Sequence, residues 1–432
     1  MKKYDTYKDS GVKWIGEVPE HWEITPLKFC FNVLSGATPK STELSYWEDG
    51  NINWITPADF KTEDRFISDG AKKITKEGFM SCSTTLIPSG SIIFSKRAPI
   101  GSVVINRNEV CTNQGCLSCI PKDDISSLFF YYIMSVSQKY FDMLGTGTTF
   151  NEISANVFKN VHLPVPPLSE QQSIAFYLDV KTEKIDKMIA KAEKKIEYLG
   201  ELKQSLITRA VTRGLNPNAP LKDSGVKWIG DVPEHWEIAP LKYFTHIKTG
   251  STPPTLNQEY YESEDINWFT PGDFESLTLK KSGKMISNKA KDDYACKIFP
   301  AGSVYIVGIG ATIGKVASCS ESASCNQQIN VLIPIKDKID CRYLVYCMNS
   351  QKEGILLSAN MVTLPIINQT KMGQLPIPIP LYAEQQQIAT YLDIKCSKID
   401  YIIAAQKKKI AYLQELKQSL IANVVTGKIK VS

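Results

Sequence analysis

Four stretches of the sequence carry residue types suited to chemistry, and each falls short of the site it resembles. The run Gly308-Ile309-Gly310-Ala311-Thr312-Ile313-Gly314-Lys315-Val316 has the look of a phosphate-binding loop. A Walker A loop needs four residues between its first glycine and the Gly-Lys pair, then Ser or Thr, but position 309 is Ile and position 316 is Val. The dinucleotide fingerprint fails as well, because its third glycine falls on Ile313. Cys111, Cys116 and Cys119 have the four-then-two spacing of a plant-type iron–sulfur ligand set. Thr252-Pro253-Pro254-Thr255 and Val165-Pro166-Pro167-Leu168 approach the Asp/Asn-Pro-Pro-aromatic loop with which adenine methyltransferases hold a flipped base, yet both lack the Asp or Asn at the first position and the stacking aromatic. The histidines, His21, His162, His235 and His246, show no helical metal-pair spacing. With no catalytic or metal constellation left, the chain reads as a recognition and assembly protein rather than an enzyme.

What must be positioned is therefore a surface. At 432 residues the length implies two or three domains. The net charge of +5, from 50 basic against 45 acidic residues, is compatible with a nucleic-acid partner and far from that of a histone-like binder. The cysteines number eleven, which is odd, and a chain this long needs no disulfide staples, so reduced thiols in a cytoplasm are expected. The most apolar stretch, Gly302 to Ala317, is broken by glycines and ends beside Lys315, so no membrane span is expected; the start, Met1-Lys2-Lys3-Tyr4-Asp5, has no apolar secretory core.

The chain is one unit written twice. Lys8 through Ile24 recurs as Lys222 through Ile238 with Glu17 replaced by Asp231, an offset of 214 (222 − 8). The same offset relates Gly36-Ala37-Thr38-Pro39 to Gly250-Ser251-Thr252-Pro253, and Asn53-Trp54-Ile55-Thr56-Pro57-Ala58-Asp59-Phe60 to Asn267-Trp268-Phe269-Thr270-Pro271-Gly272-Asp273-Phe274. It slips to 213 at Asn113-Gln114 against Asn326-Gln327, as a small loop change requires, and returns to 214 for Glu201 through Ile207 against Glu415 through Ile421. Aligned in this way, Cys116 and Cys119 correspond to Ile329 and Leu332, which marks them as buried strand positions. His21 and His235 are equivalent, which suggests a structural hydrogen bond.

Each unit has two parts. The first carries short apolar runs such as Ser91–Phe94, Ser102–Ile105 and Val304–Val307, read as strands of a mixed α/β module with one helix at about 126–140. A proline-rich hinge follows, and then a long helix with Ser169 as N-cap in the first unit. Leu178, Ile185, Ala192, Leu199 and Leu206 recur every seven residues, as do Leu392, Ile399, Leu413 and Leu420 with Gln406 as the polar interruption. At 1.5 Å per residue, about 44 residues make a rod of roughly 65 Å. Such a seam is satisfied either by the helix's own module or by the other helix. The period of seven favours an antiparallel pair with one module at each end, related by a pseudo-two-fold axis.

The order of these pieces resembles the specificity subunit of type I restriction-modification systems over essentially the whole length. The resemblance rests on the tandem half-repeat, the Gly-x-Thr-Pro and Trp-x-Thr-Pro-x-Asp segments, Arg97-Ala98-Pro99-Ile100-Gly101, Thr112-Asn113-Gln114-Gly115, and Leu168-Ser169-Glu170-Gln171-Gln172 after the hinge. The second unit departs from it: Gly308 to Gly314 lacks the arginine and Tyr382-Ala383-Glu384 replaces Leu-Ser-Glu. The resemblance implies a target recognition domain at 1–168, a coiled-coil helix at 169–213, a linker at 214–221, a second target recognition domain at 222–382, a second helix at 383–426 and a tail at 427–432. Each domain would read one half of a bipartite, asymmetric site in double-stranded DNA. The helices would set the gap and dock two modification (methyltransferase) subunits, joined by restriction (translocase/nuclease) subunits. S-adenosylmethionine, ATP and Mg would belong to those partners, with no cofactor on this chain.

The two units match in the frame segments and diverge through Lys61 to Pro88 against Glu275 to Pro300, as surfaces reading different bases should; a loose surface would diverge too. Candidate DNA-binding residues are Thr38, Lys40, Lys96, Arg97, Asn113, Gln114, Thr148 and Thr149 in the first module. In the second they are Thr252, Thr312, Lys315, Asn326, Gln327 and Gln328. Asn113 and Asn326 serve equally well as turn residues, and Trp54 and Trp268 read as core. The alternative function is a non-catalytic structural adaptor whose modules bind protein partners rather than DNA.

Overall fold

A computed structural model describes residues 2–61, 64–146, 151–361 and 364–431. The chain divides into two compact units, one formed by Met1–Ala192 with Lys408–Ser432 and the other by Glu193–Lys407. Both boundaries fall inside the long helices, so each unit holds a globular module, the start of one helix and the end of the other.

The first module is built on a five-stranded sheet. Its strands are β1 (Phe31–Ser35), β2 (Phe66–Ile67), β3 (Ile92–Ser95), β4 (Val103–Asn106) and β5 (Cys116–Pro121), in the order β1-β5-β3-β4-β2. All pairings are antiparallel except β2 with β4. Alternate residues of β3 serve different cores: Ile92 and Phe94 pack with α1 (Ser127–Val136), while Ile93 joins Ile55, Ile67 and Val104 on the other face. Both faces are covered, which is why this strand reads as a continuous apolar run. Cys116 and Cys119, three residues apart, therefore point to opposite faces and belong to different clusters.

The second unit repeats this layout with β6 (Thr245–Thr249), β7 (Thr278–Leu279), β8 (Val304–Val307), β9 (Val316–Cys319) and β10 (Ile329–Pro334), ordered β6-β10-β8-β9-β7. Each module adds a three-stranded sheet centred on its tryptophan strand, Ile52–Ile55 or Ile266–Phe269.

The structure corrects three local expectations. The helix expected over 126–140 is two, α1 and α2 (Gln138–Leu144), because the buried Ser137 hydroxyl donates to the Ile133 carbonyl at 2.5 Å and diverts the ladder. The proline-rich hinges are strands: His162–Val165 pairs with Glu23–Pro26, and Pro376–Ile379 with Glu237–Pro240. Proline is tolerated there because each ribbon has only two strands and an open side for the missing N–H. The first long helix, α3, spans Leu168–Arg213 and begins before Ser169; the Pro167 carbonyl accepts the Gln171 amide at 3.0 Å, so Ser169 lies inside the first turn rather than at the cap.

In each unit the two long helices run antiparallel. The second, α5 (Tyr382–Val425), follows α4 (Cys341–Ser350) in the sequence. In the first unit Ile174 and Leu178 of α3 share a core with Ile421, Val424 and Val425 of α5, and Lys417 meets Asp186 at 2.6 Å. In the second, Ile207, Ala210 and Val211 share a core with Ile388, Ala389 and Leu392, and Lys203 meets Asp400 at 2.7 Å. The ion pairs are repeat equivalents with donor and acceptor helices exchanged. Of the heptad residues, Leu178, Ile185, Ala192, Leu392, Ile399 and Leu413 are buried, and Leu199, Leu206 and Leu420 are half-buried.

Candidate nucleic-acid interface

The repeated motifs form a scaffold before they form a surface. In the first module the Gly36-Ala37-Thr38-Pro39 loop lies directly on the Thr112-Asn113-Gln114 loop, with the Ala37 amide donating to the Thr112 carbonyl at 2.9 Å. A Cβ on Gly36 would stand 2.2 Å from the carbonyl oxygens of Thr112 and Asn113, so only glycine permits the approach. Gly250 meets the carbonyl oxygens of Cys325 and Asn326 at 2.3 Å in the same way. The tryptophans lock the loop from below: Trp54 Nε1 donates to the Ala37 carbonyl and Trp268 Nε1 to the Ser251 carbonyl, each at 3.0 Å. Both indoles are buried, as core residues rather than stacking platforms.

The aspartates of the Trp-x-Thr-Pro-x-Asp segments are structural as well. Asp59 accepts from the Thr56 amide at 2.7 Å and from the Ala71 amide at 2.9 Å; Asp273 accepts from Thr270 at 2.6 Å and from Gly283 at 2.7 Å. His21 and His235 contact Glu170 and Glu384 at 2.9 and 3.0 Å, tying each module to its helix. The neighbouring glutamines complete the socket: Gln171 accepts from the Ser126 amide and Gln385 from the Asp340 amide, both at 2.8 Å.

On this frame the candidate side chains group unevenly. Thr38 donates to Gln114 Oε1, and Thr252 to Gln327 Oε1 at 2.5 Å, so both pairs occupy matching exposed places. Asn113 and Asn326 turn inward, Oδ1 accepting from the Gly115 amide at 2.9 Å and the Gln328 amide at 3.1 Å; they act as turn residues, and Asn326 Nδ2 also holds Gln328 Oε1 at 2.9 Å. Lys40 is exposed on the Thr38 loop. The Lys96 amide bonds the Gly115 carbonyl at 3.0 Å, placing Lys96 and Arg97 beside Gln114. Thr312 is half-buried and Lys315 is exposed on the turn after β8, with Lys315 Nζ on the Phe274 carbonyl at 3.2 Å. Thr148 and Thr149 lie outside the described residues.

One partner escaped the sequence. Glu152 accepts from Lys96 Nζ and from Arg97 Nε, each at 2.8 Å, and its backbone bridges that of Arg97. Desolvation pushes the Glu152 carboxyl up, but the hydrogen bonds and charges of Lys96 and Arg97 outweigh it, so its pKa falls below the ordinary glutamate value. The second module puts Gly308 and Ile309 where the cations stand and bridges Ile309 to Ile366 in place of Arg97 to Glu152. The same frame thus carries a charged triad in one copy and an apolar bridge in the other. Among the described residues no group of three or more His, Cys, Asp or Glu side chains converges as a metal site.

The family model for the type I restriction modification DNA specificity domain matches residues 19–198 and again 233–414. The chain is 27% identical over 427 residues to the type I restriction enzyme MjaIX specificity subunit of Methanocaldococcus jannaschii, covering 96% of this chain and 95% of that one. It is also 27% identical over 215 residues to the EcoR124I/EcoR124II specificity subunit of Escherichia coli, covering 46% of this chain and 49% of that one. Among solved structures, a chain from a study of complex assembly and conformational transition of the type I R-M system superposes with a TM-score of 0.74 at 18% identity, covering 95% of this chain and 99% of that one. The HsdS subunit from Thermoanaerobacter tengcongensis gives 0.55 at 17% identity, covering 95% and 98%. These likenesses show the fold, and with the family model matched in both halves, the chain belongs to the type I restriction-modification DNA specificity family.

Proposed function

We propose that each globular module reads one half of a bipartite, asymmetric site in double-stranded DNA, and that the paired helices set the gap between the halves. The observation that carries this reading is one clamped-loop frame presented twice with different side chains on its rim: Lys96, Arg97 and Glu152 in one copy, Gly308, Ile309 and Ile366 in the other. Phosphate contacts come from Thr38, Lys40, Thr252 and Lys315, and base readout from Arg97, Gln114, Gln327 and Gln328.

The helices also offer a repeated docking surface. Tyr198 and Leu202 are exposed on one, and their repeat equivalents Tyr412 and Leu416 are exposed on the other. An apolar pair presented twice suits two copies of one partner, the modification subunits, with restriction subunits joining them. In this reading the chain performs no chemistry itself: S-adenosylmethionine, ATP and Mg belong to the partners, which methylate adenine, translocate and cleave. All eleven cysteines are free, which suits a reducing cytoplasm.

The test is to express the chain with its cognate modification subunits and sequence the methylome. A single motif of two defined parts with a fixed gap supports the reading. Confirmed assembly without such a motif favours the protein-binding adaptor.

A further inference from the structure

Each unit fastens its module to its long helix through a tyrosine and an aspartate at repeat-equivalent positions. In the first, Tyr132 of α1 donates its hydroxyl to Asp179 Oδ1 of α3 at 2.6 Å. In the second, Tyr346 of α4 donates to Asp393 Oδ1 of α5 at 2.9 Å. The histidine and glutamine contacts described above sit at Glu170, Gln171, Glu384 and Gln385, in the first turn of each helix. The tyrosine contacts reach more than two turns further, and among the described residues no hydrogen bond from either module goes beyond this region, Tyr132 also meeting Thr182 at 3.3 Å.

Each carboxylate is also held by an arginine, and the two arginines come from different elements. Arg65 Nη1 donates to Asp179 and, at 3.2 Å, to the Tyr132 hydroxyl. Arg342 Nη1 donates to Asp393 Oδ2 at 3.0 Å. Arg65 immediately precedes β2, and its carbonyl accepts the Ile105 amide at 2.8 Å. In the second module Leu277 immediately precedes β7 and its carbonyl accepts the Ser318 amide at 3.0 Å, so a leucine stands where Arg65 is. Conversely Arg342 is the second residue of α4, and the second residue of α1 is Leu128. The first module therefore carries Arg65 with Leu128, and the second carries Leu277 with Arg342.

A reciprocal exchange of arginine and leucine around an unchanged Asp–Tyr pair says that the carboxylate needs a cation and that its source is free. The reason is physical: a half-buried carboxylate with one phenol donor is under-satisfied, and a guanidinium supplies both charge and directed N–H groups. A rod measures a gap only when the modules cannot pivot on it. The tyrosine contact at Asp179 and the first-turn contacts at Glu170 and Gln171 lie on opposite sides of Ile174, about 12 Å apart along the helix, so together they resist a tilt that the first-turn contacts alone would allow.

We propose that this Arg–Asp–Tyr latch is a positioning element, fixing the angle at which each module leaves its helix and thereby the base-pair register of its half-site. The proposal rests on the reading that the modules bind DNA halves. A tilt that moves the reading face by about 3.4 Å is one base pair.

The test uses the full chain assembled with its modification subunits, on duplexes carrying the native gap and gaps one pair longer or shorter. Arg65→Leu lowers the ratio of methylation at the native gap to that at the neighbouring gaps by about tenfold, the effect of losing one charge-assisted contact. Leu128→Arg in the Arg65→Leu background rebuilds the second module's arrangement and restores the ratio. An unchanged ratio in Arg65→Leu, or a loss that Leu128→Arg leaves in place, overturns the latch while DNA reading stands. A wild-type assembly with no two-part motif overturns the reading of DNA and the latch with it.

Discussion

Replacing Glu152 by glutamine keeps the shape of the first module's rim and removes the charge that pins Lys96 and Arg97. The two contacts are short, 2.8 Å each; Arg97 and Glu152 are 45% and 31% exposed but Lys96 only 14%, so the loss of folding stability is about 1–2 kcal/mol, most of it from Lys96. The second effect falls on DNA. With the carboxylate gone, one more positive charge is free to meet a phosphate, and each such contact adds about 0.9 to the slope of log affinity against log salt. At 0.15 M salt that corresponds to about fivefold tighter binding to a duplex without the recognition motif. Fluorescence anisotropy of the assembled complex over a salt series reads both quantities, and an unchanged salt slope refutes the assignment of Lys96 and Arg97 to a DNA-facing rim. The pH dependence has a definite sign. A carboxyl whose pKa is depressed by folding contributes stability above its unfolded value and loses it as pH falls through the folded value. Wild type therefore loses this increment on acidification below the ordinary glutamate range, and Glu152→Gln does not.

Three further outcomes follow from the geometry. Gly36→Ala pushes the loop off Asn113 and costs about 1–3 kcal/mol with loss of one half of the recognised motif, whereas Gly272→Ala, whose nearest neighbour is Thr270 Oγ1 at 3.8 Å, stays within about 0.5 kcal/mol; equal thermal melting of the two variants contradicts the clamp. Gly200 is exposed inside α3 with nothing near its Cβ position, so Gly200→Ala stabilises the protein by roughly 1 kcal/mol in urea denaturation, and a destabilised variant contradicts that placement. Alkylation of the folded protein, read by intact mass, reaches at most Cys82 and Cys341; Cys341 reacts slowly at pH 8 because desolvation, followed by Asp340, pushes its thiol up to about 11, and a third adduct on folded protein contradicts the burial of the others.

Features that repeat, or that have a period, were legible in the sequence. The duplication, the heptads of Leu178 to Leu206 and Leu392 to Leu420, the core role of Trp54 and Trp268 and the structural role of His21 and His235 were all read from residue types and spacing. Features set by contacts between distant, module-specific residues were not. Glu152 lies 55 residues from Arg97 and has no charged counterpart in the second module, so neither spacing nor repetition marks it. Arg65 and Arg342 hide for a related reason: the repeat aligns each with a leucine, and only the backbone bonds of Ile105 and Ser318 reveal the exchange. The proline-rich segments read as hinges because proline usually ends pairing, whereas a two-stranded ribbon asks for no donor on its open side. The helix break at Ser137 depends on one side chain turning back to Ile133, a choice made by tertiary packing rather than propensity.

The central claim is that one chain holds two independent half-site readers at a fixed spacing. Its most direct measurement is the methylome of cells expressing the chain with its modification subunits, compared with cells in which residues 1–168 are exchanged for the module of another family member. A two-part motif in which only one half changes, with the gap retained, is the predicted result. A change in both halves, or methylation with no two-part motif, contradicts it.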